Sequence, residues 1–581
     1  MTSLSVWAPA ARNIAAVVDG EHVELHRGPD DWWRADREVV HGSDYGFLVD
    51  DADGVLPDPR SRWQPAGVHG PSRAYDDDLF AWTDRGWQGV PLEGSIVYEL
   101  HIGTFTSEGT LDAAIERLDH LVDLGIDLVE LMPVAAFPGK HGWGYDGVHP
   151  YAVHEPYGGP DALKHFVDAC HSRGLGVVLD VVYNHLGPSG NHLPEFGPYF
   201  TEKHHTPWGA AVNLDDDGST EVRRWIVDNA LMWLRDHHID GLRLDAVHAL
   251  VDDSDEHVLS QLAGEVDELS GRLRRPLLLI AESDLNQPEM VEARDRGGLG
   301  MTAQWSDDFH HALHTLFTGE AQGYYADFAA DPFVALQTTL TGAFFHAGTW
   351  SSFRGAEHGA PVDTERFPGH RFLGYLQDHD QVGNRATGDR ITATISPGLA
   401  RAAAALVLTS PFTPMLFMGE EWAASTPWQY FTDHQEVELA GAVRDGRRHE
   451  FADHGWAAED VPDPQDPATF ERSRLDWAER ALEPHASMLD WHRRLIALRK
   501  ATPELADPRL DLVQVPYDPS ARWVVVERGG LRVVCNLAGA EQSVPLDLPA
   551  TDVVLASAEV SVSAGGEVTL PGESVAVVRV A

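Results

Sequence analysis

Basic charge, cysteine and unbroken apolar sequence are all scarce in this chain of 581 residues. Its 43 Lys and Arg stand against 91 Asp and Glu, a formal net charge of −48. A surface of that sign repels phosphate backbones and anionic lipid headgroups, so nucleic-acid and membrane partners are disfavoured. It does not oppose a neutral substrate. Two cysteines, Cys170 and Cys535, lie far apart in stretches of different texture, so no disulfide framework is indicated. The longest apolar tract, residues 402–418, is interrupted by Pro411 and Pro414 and is too broken to span a bilayer. The first residues, Met1-Thr-Ser-Leu-Ser-Val6, lack the basic region and apolar core of a secretory signal. A reduced, cytoplasmic protein is the expectation. The short acidic runs 76–78 and 215–217 read as solvated loops and not as metal sites.

Apolar residues, by contrast, are plentiful. A hydrophobic fraction of 43% with 18 Trp, 21 Phe and 13 Tyr supports a large packed interior. Residues 1–90 read as short strands between turns, among them 4–8, 14–18 and 45–49 with a Trp32-Trp33 pair, which predicts a small β-sandwich. From Ser95 the texture alternates. Apolar runs at 96–100, 127–132, 177–182, 242–247, 277–281, 303–305, 372–376 and 415–418 have the compactness of buried strands. Between them lie segments of helical spacing, including 111–124, 162–173, 219–238 and 257–273, with a last helix over 489–499. Eight strand-helix repeats close most naturally into a (β/α)8 barrel over residues 91–505. A doubly wound open sheet is the alternative, and no Gly-rich dinucleotide loop supports it. Two long connections, 186–217 and 341–369, read as lids or binding walls. Runs such as 523–526, 532–535 and 575–579 predict a C-terminal β-domain over 506–581. The fold class is therefore α/β, a TIM barrel flanked by two β-domains.

Four acid-bearing motifs sit where predicted barrel strands end: Asp180-Val-Val-Tyr-Asn-His185, Gly241-Leu-Arg-Leu-Asp245, Ile280-Ala-Glu282-Ser and Gln377-Asp-His-Asp380. Side chains at the carboxyl ends of barrel strands share one mouth. A retaining glycosidase needs a carboxylate nucleophile about 5–5.5 Å from a second carboxyl that protonates the departing oxygen. Asp245 and Glu282, on neighbouring strands, suit that distance. Arg243 lies two residues before Asp245 and faces the same way, so its charge favours the ionised nucleophile. Glu282 has to hold a proton at rest, which burial beside another carboxylate promotes. Asp380 is left to stabilise oxocarbenium-like charge or to grip sugar hydroxyls. His185 and His379 are natural hydroxyl donors, and Asp180 organises the site through Arg243.

These motifs resemble the ordered signature regions of the α-amylase superfamily of retaining glycosidases and transglycosidases, over about 95–422. By that resemblance Asp245 is the nucleophile, Glu282 the general acid/base and Asp380 the transition-state stabiliser. Val6-Trp-Ala-Pro9 resembles the start of the β-sandwich that precedes the barrel in branching and debranching enzymes. Four further segments, Tyr98-Glu-Leu-His-Ile-Gly-Thr104, Trp143-Gly-Tyr145-Asp-Gly, Gln304-Trp-Ser-Asp-Asp-Phe-His-His311 and Phe344-Phe-His-Ala-Gly-Thr-Trp350, are similar to the branch that acts on malto-oligosyltrehalose. That branch hydrolyses the α-1,4 bond beside the terminal trehalose and implies a synthase that makes the substrate. No cofactor is implied, and the amylase calcium ligands are not evident as a set although Asn184 is present.

The resemblance also nominates substrate contacts. Tyr145 is placed to stack on the sugar at the cleavage point, and Phe344, Phe345 and Trp350 to wall the trehalose subsites. His310 and His311 either contact the leaving sugar or brace the sixth strand. Asp308, His248, Gln381 and Asn384 complete the candidate set. Two positions depart from the superfamily pattern. Asp378 stands where many relatives carry Asn, adding a negative charge near Asp380. His248 replaces a Lys-His pair, so ordinary amylase contacts are not assumed there. The rival activity is a glucan branching transferase, in which a sugar hydroxyl replaces water. A non-catalytic glycan-binding scaffold is opposed by the intact trio.

Overall fold

The computed structural model describes residues 2–50, 54–452, 460–563 and 565–581. Eight parallel strands close into a barrel in sequence order: β1 Val97–Leu100, β2 Leu128–Leu131, β3 Gly176–Val181, β4 Gly241–Leu244, β5 Leu278–Ala281, β6 Ala303–Trp305, β7 Phe372–Gly374 and β8 Thr413–Phe417. Closure is made by β8 against β1, with Met415 opposite Val97. An open doubly wound sheet is thereby excluded.

Each strand is a short run buried on both faces, as a parallel sheet under helices requires. Successive side chains alternate, so residues two apart share a face. The lower inward positions, Val97, Leu128, Val178, Leu278, Ile280, Ala303, Leu373 and Met415, form one apolar plug. Two residues further along β1, β2 and β3 the inward positions become Glu99, Glu130 and Asp180. In the strand register Glu99 lies opposite Glu130, and Asp180 opposite Arg243. A charged layer thus rests on an apolar one, facing the carboxyl ends of the strands.

The surrounding helices include α1 Gly159–His171, α2 Ser219–Asp236, α3 Val258–Leu273, α4 Asp307–Thr318, α5 Pro397–Leu408 and α6 His485–Ala501. The single helix expected over 111–124 is two, Leu111–Ile115 and Leu118–Leu124. The amides of Glu116, Arg117 and His120 each reach a carbonyl three residues back, which tightens the chain at that point. Leu111, Leu118, Leu121 and Leu124 still share the buried face. Strand β4 ends at Leu244, earlier than the expected 247, because Ala246 takes a left-handed turn with φ +39°.

Ahead of the barrel lie a three-stranded sheet containing Thr2–Trp7 and Trp32–Val39 and a four-stranded sheet centred on Ile14–Val18 and Asp44–Val49. Arg60 ties this region to α2 through Asp228 at 2.9 Å, and Trp225 Nε1 donates to the Pro59 carbonyl at 3.0 Å. Beyond the barrel, five-stranded and three-stranded antiparallel sheets cover 517–580. The connection after β3 carries the hairpin Phe200–Thr206 and Gly209–Val212, and the one before β7 carries Thr349–Ser351 and Ala356–His358. Among the described residues no helix is long and apolar enough to cross a membrane.

The amino ends of the strands are fastened by one carboxylate. Asp240, fully buried, accepts from Trp87 Nε1 at 2.7 Å, His171 Nε2 at 2.9 Å, the Val177 amide at 2.9 Å and Arg275. His171 and His238 both reach Asp84, and the His171 ring stacks on Trp87. The segment leading into β1 is thereby joined to α1, β3 and the start of β5. Removing one partner of a buried ion pair costs about 3–5 kcal/mol, because the other charge stays desolvated. Asp240→Asn is expected to lower unfolding stability by that order in urea denaturation; a change below 1 kcal/mol, within the range of an ordinary surface pair, would show that the clasp is dispensable.

Candidate active site

The charged layer opens into a cleft of about 1050 Å3 at the carboxyl ends of the strands. Tyr145, His185, Asp245, His248, Glu282, His379, Asp380 and Asn384 line it. Arg243 and Asp180 lie just beneath, both buried. Ten of the positions nominated from sequence are therefore brought together.

Arg243 is the centre of the arrangement. Its Nη1 donates to Asp180 Oδ2 and to Asp245 Oδ1, each at 2.8 Å, and its Nη2 lies 3.1 Å from Glu282 Oε2. The guanidinium carbon sits 4.3 Å from the centroid of the Trp305 ring, which packs against its face. Asn184 Nδ2 donates to Asp245 Oδ2 at 2.7 Å and to the Asp245 carbonyl at 2.9 Å. Both carboxylate oxygens of Asp245 are thus engaged as acceptors. The turn at Ala246 aims its amide at Glu282 Oε2, 2.6 Å away, and the Val247 amide meets the Glu282 carbonyl at 3.0 Å. Left-handed backbone at a residue with a Cβ is strained, and here it couples the strand of Asp245 to that of Glu282.

Tyr145 donates to Asp180 Oδ2 at 2.7 Å and lies 2.7 Å from His379 Nε2, its ring stacked on the imidazole. His379 is fixed from the other side by Glu99, whose oxygens meet Nδ1 at 2.5 Å and the backbone amide at 3.0 Å. His185 contacts Asn184 Oδ1 and the Tyr145 carbonyl. Asp380 is the most open of the trio, with its side chain 38% exposed against 19% for Glu282 and 10% for Asp245. Asn384 Nδ2 donates to it at 3.1 Å, and His248 approaches Asp284 at 3.7 Å.

Proton affinities separate the groups. Burial pushes the Glu282 carboxyl up to about 8, with Arg243 opposing and Asp245, Asp380 and Asp307 adding to the rise. Burial likewise raises Asp180 to about 6 against the pull of Arg243. Burial alone would depress His379, but Asp380 and Glu99 outweigh it and lift the imidazole to about 10. Burial and the neighbouring Glu99 hold the Asp378 carboxyl far above the usual range. Burial and Glu99 thus oppose the negative charge expected at Asp378. Its Oδ1 caps the Gln381 amide at 2.7 Å, much as an asparagine would.

Seven other nominated positions do not line the cleft. Asp308, buried, accepts from Asn286 Nδ2 and from the amides of Phe345 and His346, bracing the long loop. His310 is buried and bridges the Leu376 carbonyl and the Tyr325 hydroxyl, contacts that brace the barrel wall. His311 packs among Tyr324, Tyr325 and Phe328. Phe344 is buried edge-on against Phe372, and Phe345 lies against Phe328. Gln381 presents its backbone to Asp378. Trp350 is 63% exposed on a hairpin and does not line the cleft either. Aromatic residues in a long loop serve packing or binding equally well, and their spacing does not distinguish the two.

Other groups escaped the sequence reading. Glu99 and Glu130 were visible as the inward positions two residues beyond Val97 and Leu128. Asp307, next to Asp308, receives the Tyr375 hydroxyl. Trp208, at the hairpin tip, stacks on His185 with centroids 4.7 Å apart and lines the cleft. Tyr430 and Arg447 line the far wall. No periodic signal marks those three.

One group among the described residues has metal-ligand spacing, His204, Asp215 and Asp253. Lys203 Nζ already stands 2.9 Å from Asp215 Oδ2 and 3.8 Å from Asp253, so a built-in cation fills the role. The Asp215 side chain is covered in this ion pair, while Asp216 and Asp217 are exposed, as a solvated loop requires. The Asn184 amide is committed to Asp245.

A closed barrel with Asp245, Glu282 and Asp380 at its mouth has the architecture of the α-amylase class, and the family model for the alpha amylase catalytic domain matches residues 72–199. A second, a domain of unknown function (DUF3459), matches 508–577. The chain belongs to the malto-oligosyltrehalose trehalohydrolase family. It is 55% identical to the enzyme of that name from Arthrobacter ramosus over 99% of both chains, and 52% identical to that of Mycobacterium tuberculosis over 100% of both. A crystal structure from Salmonella typhimurium, provisionally assigned as an α-amylase, superposes with TM-score 0.91 at 38% identity, covering 99% of this chain and 97% of its own. A 1,4-alpha-glucan branching enzyme from Corynebacterium jeikeium is 31% identical over 53% of this chain and 48% of its own.

A carboxyl that keeps its proton up to about 8 is an acid at neutral pH. If Glu282 supplies the proton, kcat/KM falls as pH rises through about 8, where an ordinary glutamate titrates near about 4.3. Glu282→Gln is expected to remove that limb and to lower turnover ~10²–10⁴-fold. Unchanged turnover in the variant would place the acid elsewhere.

Proposed function

We propose that this protein hydrolyses malto-oligosyltrehalose at the α-1,4 bond beside the terminal trehalose, with retention, releasing trehalose and a malto-oligosaccharide. The observation that carries the chemistry is a single guanidinium shared by Asp245 and Glu282, an arrangement that suits the short carboxyl separation of a retaining site. The full-length likeness to trehalohydrolases supports the substrate.

In this reading Asp245 attacks the anomeric carbon while Glu282 gives its proton to the departing glycosidic oxygen, and trehalose leaves as the alcohol. The glucan is then held as an ester of Asp245. A water molecule loses a proton to Glu282 and attacks the same carbon, which frees Asp245 and restores the acid. Asp380, beside the sugar and open to the cleft, stabilises the positive charge that spreads over the ring carbon and oxygen at each transition state. Tyr145 forms the floor, presenting a ring face to the pyranose.

A branching transferase would use the same trio and replace water by a sugar hydroxyl. Its likeness to this chain is partial where the trehalohydrolase likeness is complete, which favours the hydrolase. The substrate would be supplied by a malto-oligosyltrehalose synthase. A neutral glucan also suits a protein of net charge −48, which has no electrostatic route to polyanions.

Purified protein given maltotriosyltrehalose is expected to release trehalose and maltotriose, with slow cleavage of maltopentaose under the same conditions. Chromatography of the products decides the matter. New α-1,6 branches on amylose without trehalose release would overturn the assignment.

A further inference from the structure

The charged layer of the barrel holds a histidine whose two ring nitrogens are both already spoken for. His379 Nδ1 meets Glu99 Oε1 at 2.5 Å, and Nε2 meets the Tyr145 hydroxyl at 2.7 Å. Counting protons along this chain leaves little freedom. Tyr145 has one hydroxyl proton, and its geometry directs that proton to Asp180 Oδ2. Asp180 Oδ2 also receives Arg243 Nη1, while Asp180 Oδ1 is buried with no partner. Two donors, one of them the Arg243 cation, converge on Oδ2, so Asp180 accepts there as a carboxylate, Tyr145 donates to it, and the Tyr145 oxygen is left to accept from His379 Nε2. On the other side Glu99 Oε2 accepts the His379 amide at 3.0 Å, so Glu99 is bound as a carboxylate with Nδ1 donating to it.

We propose that Glu99 is a positioning residue that keeps His379 as a doubly protonated imidazolium in the resting enzyme, and that this fixed cation orients Tyr145 and Asp380 at the floor of the cleft. The role of the floor rests on the hydrolase reading above; the charge state of His379 does not.

Two carboxylates lie against the imidazole, Glu99 from β1 and Asp380 from its own segment, with Asp380 Oδ2 3.5 Å from Nε2. Glu130 on β2 and the adjoining Asp378 also face it, but burial opposes ionisation of both. Arg243 opposes them; His101, which burial depresses to about 3, joins Tyr145, Trp143 and Trp305 as uncharged walls. Glu99 and the His379 side chain are each about 1% exposed. A neutral imidazole would leave Glu99, in that setting, as an uncompensated buried charge. A directed chain then runs from Glu99 through His379, Tyr145 and Asp180 to Arg243 and Asp245. The remote carboxylate of β1 thus sets the direction of the His379 and Tyr145 hydrogen bonds beneath the nucleophile.

The test is an imidazole nitrogen NMR titration of the 15N-histidine-labelled full-length protein, with the His379 resonance identified by its loss in His379→Gln. The wild-type ring is expected to stay doubly protonated from pH 6 through pH 9. Removing an opposite charge at this distance moves a titration by about 1–3 pH units, so Glu99→Gln is expected to bring His379 down by that amount. The same variant is expected to lose kcat along the new titration while KM changes little. A wild-type His379 that is neutral at pH 7 overturns the proposal without any variant. An unchanged His379 titration in folded Glu99→Gln also overturns it. Absence of trehalose release leaves the NMR readout intact, so a failed substrate assignment and a failed charge assignment are told apart.

Discussion

A guanidinium with no solvent exposure, held between the Trp305 ring and three carboxylates, is the constraint from which the rest of the site follows. Burying an arginine is costly unless its charge is met in place, and the barrel meets it with carboxylates from three adjacent strands. Asp180 comes from β3, Asp245 from the end of β4 and Glu282 from the end of β5. The parallel register sets Asp180 opposite Arg243, and Glu282 follows Ala281, the partner of Leu244. A lysine could not serve, since one ammonium lacks the planar fork that reaches separate acceptors. The same pairing explains why the barrel tolerates charge in its interior at all. Beneath the charged layer the plug of Val, Leu, Ile and Met keeps water out, so the ion pairs act in a medium where they are strong.

Much of this was legible in the chain, for a physical reason. Strand periodicity is strict, so Arg243 and Asp245 had to share a face, and a carboxylate at the end of a buried run had to emerge at the mouth. The same rule would have found Glu99 and Glu130, which stand two residues beyond apolar inward positions. Nothing comparable governs loops. Phe344, Phe345 and the 310–311 histidine pair carry the composition of a sugar site and the burial of a core, and composition is all that sequence displays. Trp208 was hidden for the converse reason: a tip residue of a hairpin reaches His185 only through tertiary folding. Asp378 marks another limit. A sequence shows a carboxyl group but not its solvation, and burial opposes the charge expected at this cap.

The two ends of the barrel divide their tasks. At the amino ends Asp240 gathers donors from four segments, and the N-terminal sheets are pinned to α2 through Arg60 and Trp225. These contacts involve nothing that lines the cleft. At the carboxyl ends, backbone that would be unfavourable elsewhere is kept in place by its neighbours, as at Ala246, whose amide faces Glu282. Rigidity below and strain above are complementary, because a strained turn persists only where the surrounding structure over-determines it.

The difference between the two central carboxylates also follows from placement. Asp245 accepts a hydrogen bond on each oxygen, from Arg243 and from Asn184. Glu282 shares one oxygen between the Ala246 amide and a longer contact to Arg243, and its other oxygen is free toward the cleft. With Asp245, Asp307 and Asp380 around it, that free oxygen is where a proton is held. One carboxyl is built as an acceptor and its neighbour as a donor, although both descend from strand ends of similar sequence. The contrast between the two carboxyls therefore rests on their partners, Arg243 and the Asn184 amide for Asp245 and the turn at Ala246 for Glu282.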